Sequence, residues 1–239
     1  MIATVADPGS PEALSPELFE ATMFDRRTAH SPLVKSLKTG KLERYTPVRR
    51  PWLEVTGVTL HQTACNMGER IERYDTIGAH FAVLRSGRVL RMCDEDRIVY
   101  HAQGWNNRCV GIEVDGLYAG REDDPRTVHD EALASTWDDP STPTREKPMQ
   151  VTDAAMRSTR MLVRWIAWRV AQHNGTLRVL CAHRQSSESR PNDPGEAIWR
   201  AVALPLHLEL GLSDGGPGFK IGDGRAIPRE WDGTRSERY

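Results

Sequence analysis

The chain has few cysteines, no long apolar run, no charge excess and no repeats, and each shortage removes a class of protein. Four cysteines (Cys65, Cys93, Cys109, Cys181) are scattered without a Cys-x-x-Cys pair. In 239 residues that pattern reads as reduced, buried thiols and not as a disulfide framework. No apolar stretch approaches the roughly eighteen residues needed to cross a bilayer, so membrane insertion is not expected. The 32 basic and 33 acidic residues nearly cancel, and no global field draws the chain to nucleic acid or to an anionic membrane. The segment from Met1 to Thr22 carries Asp7, Glu12, Glu17 and Glu20 where a signal peptide has a basic start and an apolar core. The expected product is soluble and cytoplasmic as made. Without internal repeats, a solenoid or a tandem array of binding modules is not expected either.

What is present suggests one well-cored domain. Residues 1–50 are polar and rich in Pro, Ser and Arg, with one short helix expected near Pro11 to Phe24; they read as an extension that packs over the core. The compact domain is expected over 51–212, followed by a Gly/Pro-rich tail over 213–239 with no core pattern of its own. Within the domain, Val55 to Thr63, Cys109 to Val114 and Leu177 to Ala182 read as buried strands by their apolar and β-branched content. Ala79 to Leu84 and Arg88 to Met92, around Ser86-Gly87, predict a hairpin. Thr152 is placed to cap a helix running to about His173, and a second helix is expected from about Gly195 to Leu210. The polar, Pro-containing stretch from Ala119 to Gln150 reads either as a surface insertion or as a flap beside a groove. Strands mixed with long helices predict an α/β fold with a single mixed central β-sheet flanked by helices.

The most informative run is His183 to Gly195, which sets an imidazole and the Asp193 carboxylate ten residues apart across a polar stretch ending in Asp-Pro-Gly. That is too far for one helix face, so a folded-back loop has to join them. His61, near the end of an apolar strand, would complete a His-His-Asp set with an open fourth position, the pattern of a catalytic zinc. A strand-end histidine also serves as an ordinary hydrogen-bonding residue. Glu113 in Val-Gly-Ile-Glu-Val places a carboxylate on a strand that otherwise reads as buried, which is costly unless the group is paired, hydrated or functional. It suits a general base, or else a salt bridge to one of the many arginines.

Taken together, Leu60-His61-Gln62-Thr63-Ala64, Ala79-His80-Phe81, Arg85 to Val89, His101 to Asn106, Val110-Gly111-Ile112-Glu113 and Ala182 to Gly195 resemble the zinc-dependent N-acetylmuramoyl-L-alanine amidases. That family includes phage amidases and peptidoglycan recognition proteins. Motif order and spacing agree across roughly residues 52–212, and several motifs in order are specific where any one alone is weak. The resemblance implies one Zn2+ held by His61, His183 and Asp193, with Glu113 as the catalytic carboxylate. It implies cleavage of the amide between N-acetylmuramic acid and L-alanine of the stem peptide, with peptidoglycan or a muropeptide as partner. His101, Trp105 and Asn106 fall in the segment that lines the substrate groove of relatives; a loop-anchoring role for His101 stands beside that reading.

Two positions depart from the family pattern. Pro191 stands where many members have a Lys two residues before the last ligand, preceded by Arg190, which is expected to stabilise the oxyanion in its place. Ala79 replaces a Tyr of some phage members. Recognition proteins that bind without cutting typically lack the ligand at the Asp193 position, so its presence favours an enzyme over a recognition module. An endolysin, an antibacterial effector and a recycling amidase all fit, with delivery to the wall by lysis or a dedicated secretion route.

Overall fold

The computed structural model describes residues 14–36, 38–120 and 148–231. Its strands are β1 (Phe24–Asp25), β2 (Leu33–Lys35), β3 (Leu42–Arg44), β4 (Val48–Arg49), β5 (Gly57–Gln62), β6 (Phe81–Val83), β7 (Val89–Arg91), β8 (Arg97–Ile98), β9 (Cys109–Val114) and β10 (Val179–Ala182). The helices are α1 (Pro16–Ala21), α2 (Asp153–Gln172), α3 (Glu196–Ile198) and α4 (Leu204–Leu210). Six strands make one mixed sheet in the order β1-β7-β6-β9-β5-β10, as the α/β reading expected. β9, β5 and β10 run parallel with β5 between the other two. A central parallel strand is covered on both faces, which is why β5 is buried along its whole length.

Successive side chains on a strand point to opposite faces. Val58 and Leu60 of β5, with Ile112, Val114, Phe81 and Leu180, enter the large core they share with α2. There the Phe81 ring meets Trp165 edge-on at 5.8 Å between centroids. Thr59 and His61 point to the other face. The register then matters for chemistry: Leu60 pairs with both Ile112 and Ala182, and His61 pairs with Glu113. His183, the residue after Ala182, follows at that same level.

Helix α2 begins where expected, with the Thr152 hydroxyl accepting the Ala155 N–H at 3.2 Å and donating to the Arg85 carbonyl of the hairpin turn at 2.5 Å. It ends before Asn174, whose φ is 60°. The second expected helix is broken into α3, a π turn (Trp199–Ala203) and α4. Pro205 is the cause, because it has no N–H to give to the Ala201 carbonyl. Arg160 from α2 takes up that carbonyl at 2.9 Å, and the Leu204 N–H reaches back to Trp199.

The ends of the described chain are built into the fold. Phe19 of α1 is buried in the main core, and β1 extends the sheet beside β7. The start of the expected N-terminal helix, most of the 119–150 stretch and the last part of the tail lie outside the described residues. The rest of the tail corrects the expectation that it has no core pattern: Ile227 and Trp231 belong to the main core. Trp231 is 1 % exposed, and its indole N–H donates to the Gly120 carbonyl at 2.8 Å. One large apolar residue among Gly and Pro has no periodicity to reveal it. We expect Trp231→Ala to cost about 3–5 kcal/mol, the usual loss for a buried Trp. Chemical denaturation should show it as a lowered midpoint at unchanged slope.

Candidate metal centre

The rim of β5 and β10 brings three side chains together. His61, His183 and Asp193 each offer one ligand atom, all within 4.8 Å of one another. Among the described residues this is the one such group of His, Cys, Asp or Glu. His61 Nδ1 lies 2.9 Å from His183 Nδ1, which lies 2.8 Å from Asp193 Oδ2. Two imidazole nitrogens and one carboxylate oxygen form a donor set that zinc accepts with a fourth position left open. Donors around a tetrahedral zinc stand roughly 3.3 Å apart at bond lengths near 2.0–2.1 Å. The three residues therefore fit a zinc ion with small adjustments.

The loop from His183 to Asp193 folds back as the spacing required. A short 3-10 turn (His183–Ser186) starts it, and the Arg184 N–H donates to the Asp193 carbonyl at 3.0 Å. The buried Arg184 guanidinium donates to the carbonyls of Pro191 and Ala226, tying the loop to the tail. Gly195 closes the turn at φ 101°, and a Cβ there would come within 2.6 Å of Tyr118 Cβ. Gln62 holds the far side: its backbone N–H donates to Asp193 Oδ1 at 2.9 Å, and its side chain donates to the Asn192 carbonyl at 2.6 Å. Asp193 is thus held by one oxygen and presents the other to His183. Gln62 and Arg184 each follow a ligand-type histidine directly, which is the only sequence trace of their work.

Glu113 enters from β9 beside His61, and its Oε2 is buried without a hydrogen-bond partner. Burial, reinforced by the charge of Asp193 and opposed by Arg190, holds its pKa well above the ordinary carboxylate value. Arg190 itself is exposed, close enough to act electrostatically on both Glu113 and His61. Burial pushes His61 well below its usual value, with His183 and His101 adding to the effect. Burial likewise brings His101 down to about 3.

The three residues expected to line the groove make contacts inside the protein. His101 is 8 % exposed and lies behind His61, its Nδ1 3.0 Å from His61 Nε2. Trp105 is 4 % exposed and packs with Ala102, Cys109 and Cys181. Asn106 spends its Oδ1 on the backbone N–H groups of His101 and Ala102, each at 2.8 Å. These contacts give all three residues a supporting role within the fold, the loop-anchoring reading of His101 among them. The physical reason is Gly111: a Cβ there would lie 2.7 Å from His101 Cγ, so only glycine lets this segment lie flat on the sheet.

Comparison with known families supports the motif reading. The family model for N-acetylmuramoyl-L-alanine amidase matches residues 51–196, more than half of the chain. The chain belongs to the N-acetylmuramoyl-L-alanine amidase family. Comparison with curated protein sequences gives no match. Among solved structures, the endolysin amidase LysCS from Clostridium intestinale URNW is similar at 19 % identity, over 71 % of this chain and 93 % of that one, with a TM-score of 0.44. The bumblebee peptidoglycan recognition protein PGRP-SA shares 16 % identity over 80 % and 96 %, with a TM-score of 0.45. The Ph2119 endolysin from the Thermus scotoductus MAT2119 bacteriophage shares 16 % over 70 % and 90 %, at 0.38. At this identity and superposition these likenesses add nothing to the family match. Among the described residues, no helix is long and apolar enough to cross a membrane.

Proposed function

We propose that the protein is a zinc-dependent hydrolase of peptidoglycan, cutting the amide between N-acetylmuramic acid and L-alanine of the stem peptide. One observation carries the reading: a His-His-Asp donor set on the sheet rim beside a half-buried glutamate, Glu113, whose Oε2 is enclosed without a hydrogen-bond partner. His61, His183 and Asp193 would hold the ion. Bound there, zinc would supply Lewis-acid polarisation and bring the pKa of water from about 16 toward about 7.

The protein's own groups do the rest. Glu113, with a raised pKa, is suited to take a proton from the attacking water and return it to the leaving amide nitrogen, so that a carboxylate and an amine result. Its position beside His61 on the paired strand sets it at the rim where that exchange has to occur. Arg190 supplies a permanent positive charge on the solvent side, suited to stabilise negative charge developing on the lactyl carbonyl oxygen. It does not exchange a proton at working pH, so proton transfer rests on Glu113.

The purified protein should contain close to one zinc per chain and should release stem peptides from purified sacculi. Chelation should abolish that release and added zinc restore it, read as metal content alongside turnover. Zinc-loaded protein that binds muropeptides yet leaves sacculi intact would make it a recognition module instead.

A further inference from the structure

The direction in which His61 presents its ring is set by a chain of hydrogen bonds that begins on β9. The Cys109 carbonyl oxygen has no hydrogen to give, and His101 Nε2 lies 3.2 Å from it. His101 Nε2 therefore carries a proton, and in a neutral imidazole the other nitrogen is then an acceptor. A second proton would leave a charged ring in a buried place where, among the described residues, no carboxylate pairs with it. His101 Nδ1 stands 3.0 Å from His61 Nε2, so His61 Nε2 is the donor. Its Nδ1 is left as a lone pair facing His183 and Asp193.

We propose that His101 is a positioning residue, whose Nδ1 accepts the Nε2–H of His61 and so fixes the His61 tautomer that offers Nδ1 as a ligand. The inference rests on the zinc reading above for its purpose, though not for its hydrogen-bond order. The surroundings are built for it. The His101 ring lies against Gly111, where a Cβ would stand 2.9 Å from His101 Nδ1, and Asn106 fixes the His101 backbone. A partner of this kind orients the ring of a metal ligand, and its loss typically weakens metal binding about 10–100-fold.

The test uses the full chain with 15N-labelled histidine. In the metal-free parent, two-bond 1H–15N spectra should show both His61 and His101 as Nε2–H tautomers. In His101→Ala the His61 signals should become those of mixed tautomers. Zinc affinity, measured by competition with a chromophoric chelator, should fall about 10–100-fold. Gly111→Ala should produce the same loss by displacing the ring, and His101→Gln, which restores an acceptor, should recover part of it. An Nδ1–H tautomer at His61 in the parent overturns the proposal, as does a folded His101→Ala protein with parental zinc affinity. Parent protein that takes up no zinc yet shows both expected tautomers overturns the zinc reading and leaves the His101 assignment standing. If His101→Ala does not fold, the parent spectra still decide the matter.

Discussion

Asp193→Ala should lose both bound zinc and turnover, the latter by at least about 10³-fold, since each ~1.4 kcal/mol of lost stabilisation is a factor of ten. The variant leaves two imidazoles as the only protein ligands, and a two-ligand site holds zinc poorly. It also strands the Gln62 N–H, which gives its hydrogen bond to Asp193 Oδ1 inside the protein. An unsatisfied buried donor costs about 1–3 kcal/mol, so the alanine variant should also be less stable. Asp193→Asn separates the two effects. Its amide oxygen still accepts from Gln62, so stability should return to within about 1 kcal/mol of the parent. The carboxylate charge that a zinc ligand supplies is gone, so metal content and sacculus turnover should remain low. Metal analysis, turnover and denaturant midpoints on the same three proteins check this. An asparagine variant with full zinc and full activity would remove Asp193 from the ligand set.

This contrast also marks what could be read from the chain before its structure. Strands β5, β9 and β10 were legible because burial on both faces gives continuous apolar, β-branched runs, and helix α2 because burial on one side gives its side chains a helical period. The polar loop ending in Asp-Pro-Gly foretold its own return, whereas the pairing of His61 with Glu113 depends on a strand register that the sequence does not carry. What the sequence left hidden lacked a period or depended on which side of the sheet a loop takes. His101, Trp105 and Asn106 belong to a segment close to the site in sequence, but only the space above Gly111 sends that segment behind His61. Trp231 sits in a stretch whose glycines and prolines carry no alternation. Nothing in the sequence sets Arg184 apart from the other arginines, yet it is buried with backbone carbonyls as its acceptors.

Glu113→Gln should keep the zinc and remove most of the turnover, by about 10²–10⁴-fold, the usual contribution of a positioned acid–base group. Glutamine has nearly the same shape, so the neighbouring His61 and the strand pairing should stay as they are. The parent's activity should fall on the acid side as Glu113 takes up its proton, and in the metal-free protein burial and Asp193 raise the pKa of that carboxyl above the ordinary range. Stability carries the opposite sign. A carboxyl whose pKa is raised by folding favours the folded state most while it is protonated. That advantage is present below the unfolded value near 4.5 and is lost as pH rises through the folded value. In the metal-free protein, denaturation across this window should therefore show parental stability declining with rising pH, with a flatter profile for Glu113→Gln and greater stability for that variant at neutral pH. A zinc-loaded glutamine variant with parental turnover would show that proton transfer runs through another group.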